Sequence, residues 1–159
     1  MTYVKEFLTN YMLICAMSGW IMAQILKVCT GIFRMKKFSI IEMLFGTGGK
    51  PSSHTAAVIG LTTAAIIKYG VGSSQFAICG VLSMIVMRDA MGMRRQVGEH
   101  AKALNIIIKE LAEAKNDPQL TEKALGELAG HTPLQVWMGA IVGALTAIGL
   151  MFVPAFGLM

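Results

Sequence analysis

Two short stretches of this 159-residue chain set a histidine beside the start of an apolar segment: Pro51-Ser52-Ser53-His54-Thr55 and Gly130-His131-Thr132-Pro133-Leu134-Gln135-Val136. Between them they hold two of the chain's three histidines. Imidazole is the side chain that can act near neutral pH as a nucleophile in one state and a proton donor in the other. The groups around His54 suit an anion. Ser52 and Ser53 bring hydroxyl donors, Lys50 brings a cation, and Gly48 and Gly49 let a backbone come close. Proline and serine also open helices, and a helix N-terminus presents unpaired N–H groups at the positive end of its dipole. His131 and Gln135 are four residues apart, so the amide can hold the ring on one helical face, and a neutral imidazole held this way can attack phosphorus. Each stretch alone also fits a capped helix carrying a surface histidine. Together they predict phosphate-ester chemistry.

The elements that must position these residues are apolar. The chain is 55% hydrophobic and 14% charged, with a mean hydropathy of +0.61; a soluble domain would carry about 25% charged residues. The apolar residues come in long runs, which predicts an all-α, polytopic membrane bundle in a single domain over 1–159. The net charge of +5 lacks the basic–aromatic interleaving of a nucleic-acid binder, so no nucleic-acid partner is expected. In this setting it points to loops, anionic headgroups or a phosphate ligand. Cys15, Cys29 and Cys79 sit in apolar runs without paired or metal-type spacing and read as small buried hydrophobes.

About four spans are expected: Tyr11 to Thr30, His54 to Ile67, Phe76 to Met87, and Pro133 to Phe156. The second and third are short. Phe38 to Phe45 is too short to cross and reads as an interfacial or re-entrant piece. Residues 94–128 form a polar, partly helical insertion, in which Leu104, Ile107, Ile108 and Leu111 follow the i, i+3, i+4, i+7 pattern of an amphipathic helix. That helix either lies on the membrane or covers a site, and Asn116-Asp117-Pro118 ends it. Gly139 and Gly143 make a GxxxG face, which allows close packing either within the chain or, in a homo-oligomer, against a second copy.

With four spans, the end of the first, the start of the second, the end of the third and the start of the fourth share one face. Twelve of the fourteen basic residues fall on that face, leaving Lys5 and Lys68 on the other. The positive-inside rule makes it cytoplasmic. Both histidine stretches land there, as a shared site requires.

The set of motifs resembles the divergent branch of the type-2 phosphatidic acid phosphatase superfamily, small membrane proteins related to acid phosphatases and vanadium haloperoxidases. Pro51-Ser52-Ser53-His54 is similar to that superfamily's Pro-Ser-Gly-His motif. His131-Thr132-Pro133-Leu134-Gln135-Val136 with Gly139 is similar to its His-x-x-x-Asp-Val-x-x-Gly motif. Lys27 and Arg34, six residues between, are similar to its Lys-x6-Arg-Pro motif, and Asp89-Ala90-Met91-Gly92-Met93-Arg94-Arg95 is similar to a stretch of the divergent branch.

The resemblance implies a mechanism without metal or cofactor. His131 attacks phosphorus and forms a phosphohistidine. His54 protonates the leaving oxygen. Lys27, Arg34, Lys50, Ser52, Ser53 and one or both of Arg94 and Arg95 hold the phosphate oxygens. The partners it implies are membrane lipid and a phosphorylated amphiphile. Four positions depart from the pattern: Met35 follows Arg34, Ser53 replaces glycine, Leu125 stands where an arginine belongs, and Gln135 replaces the ring-orienting aspartate. Lys36 or Lys37 can take over a phosphate contact, and Asp89 or Glu99 can supply the missing negative charge, Asp89 being the better placed beside membrane-end basic residues. Asp89 can equally form an ion pair with Arg88 or Arg94. The expected function is lipid phosphate or diphosphate hydrolysis. A catalytically inactive lipid-phosphate-binding or transport-related protein is the alternative, resting on Gln135 and Leu125, and a purely structural subunit is the third.

Overall fold

A computed structural model describes residues 2–32, 50–115 and 132–154. The piece expected at Phe38–Phe45 and residues 116–128 of the expected insertion, together with Arg34 and His131, lie outside the described residues. Among the described residues the chain is all helical, with α1 at Thr2–Leu8, α2 at Tyr11–Ile32, α3 at Ser53–Tyr69, α4 at Ser74–Met91, α5 at Met93–Lys115 and α6 at Pro133–Met151.

Three stretches are long and apolar enough to cross a membrane: Tyr11–Thr30, Ser74–Lys115 (which takes in both α4 and α5) and Pro133–Met151. Helix α3 has 17 residues, at the short end of what spans a bilayer. The breaks between helices have local causes. Asn10 opens α2 by accepting the Leu13 N–H on Oδ1 at 3.2 Å. Gly70 ends α3 at φ 79°, in the left-handed region that glycine enters without steric cost. Three residues on, the Ser73 hydroxyl accepts the Phe76 N–H at 3.2 Å and starts α4.

Helix α3 sits in the middle and packs against α2, α4 and α6, and α2 also touches α6. Lipid tails are as apolar as leucine, so spans adhere through close backbone approach and through polar contacts between helices. Both devices are present. Small residues recur every fourth position on all three helices of the main seam: Cys15, Gly19 and Ala23 on α2; Ala56, Gly60 and Ala64 on α3; Gly139, Gly143 and Ala147 on α6. All nine are buried. A Cβ on Gly19 would stand 2.8 Å from the Ala56 carbonyl oxygen, and one on Gly60 would stand 2.9 Å from that of Cys15. A Cβ on Gly143 would overlap the Ala56 carbonyl, and one on Gly139 would overlap that of Ser52. Of the two uses the GxxxG spacing allows, the chain employs this glycine face for packing within itself.

Polar contacts fix the helix directions. At one end the Tyr11 hydroxyl donates to the Ala147 carbonyl at 3.0 Å, above a cluster of Tyr11, Cys15, Ala64 and Ala147. At the other end the Ser52 N–H donates to the Gln135 carbonyl at 3.0 Å. Helix α2 therefore runs antiparallel to both α3 and α6. Between α3 and α4 the Thr62 and Ser83 hydroxyls meet at 2.8 Å. Thr62 also donates to the Cys79 carbonyl at 3.1 Å and Ser83 to that of Val58 at 3.0 Å, an antiparallel register. The end of α2 and the starts of α3 and α6 thus meet at one end, and the register carries the end of α4 there too.

Helix α5 is described as far as Lys115, and the stop expected at Asn116-Asp117-Pro118 lies outside the described residues. Its buried positions are Gly98, Ala101 and Ala112, with Asn105 and Ile108 half-buried, while Leu104, Ile107 and Leu111 are exposed. Small residues let the helix approach its neighbours closely, which leaves the bulky ones outward. The structure differs from the sequence expectation at Cys29, which is exposed on α2, whereas Cys15 and Cys79 are buried as expected. It also holds α1, unforeseen from the sequence, which presents Tyr3, Val4, Phe7 and Leu8 outward.

Candidate functional site

The end where α2 stops and α3 and α6 begin concentrates buried polar groups. Ser52, Ser53 and Thr55 are all buried there. The Ser52 hydroxyl is the hub: it accepts from the Thr55 hydroxyl at 3.0 Å and from the Thr55 N–H at 3.5 Å, capping α3. The Ser52 backbone N–H faces the other way and ties α3 to the first turn of α6 through Gln135. His54, in the first turn of α3, is exposed.

Helix α2 delivers Lys27 to the same end. It lies four residues past Ala23, continuing the row Cys15–Gly19–Ala23 that packs on the seam, and it is only 9% exposed. Among the described residues no carboxylate pairs with its ammonium. An ionisable group embedded in a span is costly, and such groups mark functional sites. The Thr30 hydroxyl lies 3.1 Å from the carbonyl of Lys27 and 3.1 Å from that of Lys50, so these two lysines belong to neighbouring stretches of backbone. Lys50 itself is exposed.

Asp89, near the end of α4, is half-buried. Continuing the Thr62–Cys79 and Val58–Ser83 register along both helices brings it level with the Ser52–His54 turn. Gln135 has a role that its resemblance to an aspartate position did not foretell: its side-chain oxygen accepts the Thr132 N–H at 2.8 Å. Thr132-Pro133-Leu134-Gln135 carries the Thr-x-x-Gln signature of a helix start, and that signature makes this contact legible in the sequence. Thr55 and Thr30 are two more residues that the motif reading passed over. Thr55 follows His54 and could have been found as a hydroxyl in a first helical turn; Thr30 carries no local signal. Of the predicted site residues, the described structure thus gathers Lys27, Lys50, Ser52, Ser53, His54 and Gln135 at one end, with Asp89 at their height. Arg94 and Arg95 lie in the first turn of α5, a few residues beyond Asp89.

This assembly joins stretches that are far apart in sequence, and residues 8–146 match the Divergent PAP2 family over that whole span. The chain belongs to the Divergent PAP2 family. The family match takes in the seam glycines, both histidine stretches, and the Lys27, Asp89 and Arg94–Arg95 positions. The chain is also 36% identical over 155 residues to the uncharacterized membrane protein YuiD of Bacillus subtilis (strain 168), an alignment covering 92% of this chain and 98% of that protein. No solved structure matches. As a Divergent PAP2 family member with several candidate spans, the protein is a membrane protein.

Proposed function

We propose that this protein is a lipid phosphate or diphosphate hydrolase that works through a phosphohistidine, within a single membrane domain whose 94–128 insertion stands on the active-site face. The observation that supports it most is the Ser52–Gln135 hydrogen bond. It links the residue two before His54 to the residue four after His131, so Pro51–Thr55 and Thr132–Val136, the described parts of the two stretches, lie at one end of the bundle.

In the first step a neutral His131 nitrogen forms a bond to phosphorus as the bond from phosphorus to the leaving oxygen breaks. His54 gives its proton to that oxygen. In the second step water attacks the phosphohistidine, His54 takes the water proton, and inorganic phosphate leaves with His131 regenerated. The charge spreading over the phosphoryl oxygens needs donors already in place. Lys27, Arg34, Lys50, Ser52, Ser53 and Arg94 or Arg95 supply them, together with the N-terminus of α3. Asp89 supplies the carboxylate charge that Gln135 lacks. The excess of basic residues at this end orients it toward the cytoplasm. The substrate is then a phosphorylated amphiphile whose head group lies at the same depth as the site.

The test is phosphate release from a short-chain lipid phosphate in detergent, across pH. The rate should follow a bell. It rises as His131 loses its proton and becomes nucleophilic, then falls as His54 loses the proton it must donate. Orthovanadate, a mimic of five-coordinate phosphorus, should inhibit. A flat baseline at every pH, with lipid phosphate still bound, would support a second reading, binding without turnover. One observation favours that reading: the Gln135 side-chain oxygen is engaged with the Thr132 N–H, and an amide cannot stabilise an imidazolium as a carboxylate does.

A further inference from the structure

The apolar arc of α5 is divided. One flank, at Gly98, Ala101, Asn105, Ile108 and Ala112, turns inward at spacings of three and four residues. The adjoining flank carries Val97, Leu104, Ile107 and Leu111, which repeat at seven, three and four residues and so share one stripe. They are 47%, 47%, 57% and 45% exposed, respectively. Glu99, Lys102, Lys109, Glu110 and Glu113 dominate the remaining side of the helix, which also carries the exposed Ile106, and the exposed His100 lies within the aliphatic stripe.

Four bulky aliphatic side chains make this stripe predominantly apolar, and such a face has an occupant. Its position in the chain identifies which one. Helix α4 exposes Ile78, Val81, Leu82, Met84 and Ile85, the outward apolar surface of a span. It runs into α5 through Gly92 alone. A helix that starts within two residues of a span's end starts at the membrane boundary.

We propose that α5 lies in the plane of the membrane on the active-site side, with Val97, Leu104, Ile107 and Leu111 sunk into the boundary between head groups and acyl chains and the charged side facing water. The helix has the form of an interfacial one, with most of its aliphatic residues on one side and most of its charges opposite. The inference concerns where a surface docks and stands whether or not the protein turns over a substrate.

Nitroxide labels placed singly at Leu104, Ile107, Leu111, Glu110 and Glu113 test it, with the protein in phosphatidylglycerol–phosphatidylethanolamine liposomes. All five sites are exposed, so labelling leaves the packing intact. The expected result is high collision with oxygen and low collision with a water-soluble nickel chelate at 104, 107 and 111, and the reverse at 110 and 113. Equal access of the chelate to all five would overturn the proposal, because α5 would then stand in water. Spin–spin broadening at 104, 107 and 111 that disappears on dilution with unlabelled protein would also overturn it, because the occupant would then be a second copy of the chain.

Discussion

If the proposed phosphohistidine route operates, replacing His131 with alanine should lower phosphate release by on the order of 10⁴-fold or more, because no other group would take the phosphoryl group and the two-step route would be closed. His54→Ala costs less, about 10²–10⁴-fold, the usual contribution of a positioned acid. The two variants separate further when the leaving group changes. An aryl phosphate with an acidic phenol leaves without a proton, so His54→Ala recovers much of its rate on that substrate, whereas His131→Ala does not. His54→Ala also loses the alkaline limb of the pH profile, since the proton whose loss ends activity sits on His54. Steady-state rates on an alkyl and an aryl phosphate, measured with both variants, check all three statements. Equal losses on the two substrates would leave no leaving-group acid at position 54.

The second large effect is on folding. Gly143 lies against the Ala56 carbonyl of α3, with the α2 backbone at Gly19 beside them. The atoms a side chain would meet are main chain, which cannot swing aside. Gly143→Leu should therefore destabilise the bundle by about 3 kcal/mol or more, at or beyond the upper end of ordinary overpacking. Gly80, in α4, provides the contrast. A Cβ there meets nothing within 4 Å, so Gly80→Ala should stabilise by about 0.5–1 kcal/mol through helix propensity. Thermal unfolding of the purified protein in one detergent reads both. A Gly143→Leu protein that unfolds like the parent would mean that the three helices do not meet at this glycine.

The helix starts that carry the candidate site were more legible in the sequence than the packing that brings them together. Pro51-Ser52-Ser53 announces a helix start through local chemistry, and α3 begins at Ser53. Thr132-Pro133 does the same for α6, at Pro133. The Gly139–Gly143 spacing marks a close-packing face, but nothing local to α6 says which helix lies against it. That answer is in α3, where Ser52, Ala56, Gly60 and Ala64 form a matching row whose small residues read as unremarkable apolar filler. Helix α5 shows the converse. Its period is readable, and the stripe of Leu104, Ile107 and Leu111 fits either place the sequence allows, on the membrane or over a site. Where lipid is the alternative to water, bulky aliphatic residues gain little by turning inward, and small residues such as Ala101 and Ala112 make the contacts instead. Lys27 was found by its spacing from Arg34, and its burial adds what spacing could not: a cation held within a span at the end where the serines and the start of α3 meet.

The central claim is that the stretches around residues 54 and 131 face one another across a single phosphate-sized hollow on one side of the membrane. Pulsed dipolar spectroscopy between nitroxides at positions 54 and 131 tests it most directly, in liposomes and with the exposed Cys29 replaced by serine. The account predicts a single narrow distribution well below the hydrocarbon thickness of about 30 Å. A separation at or above that thickness would put the two imidazoles on opposite sides of the bilayer and contradict the shared site.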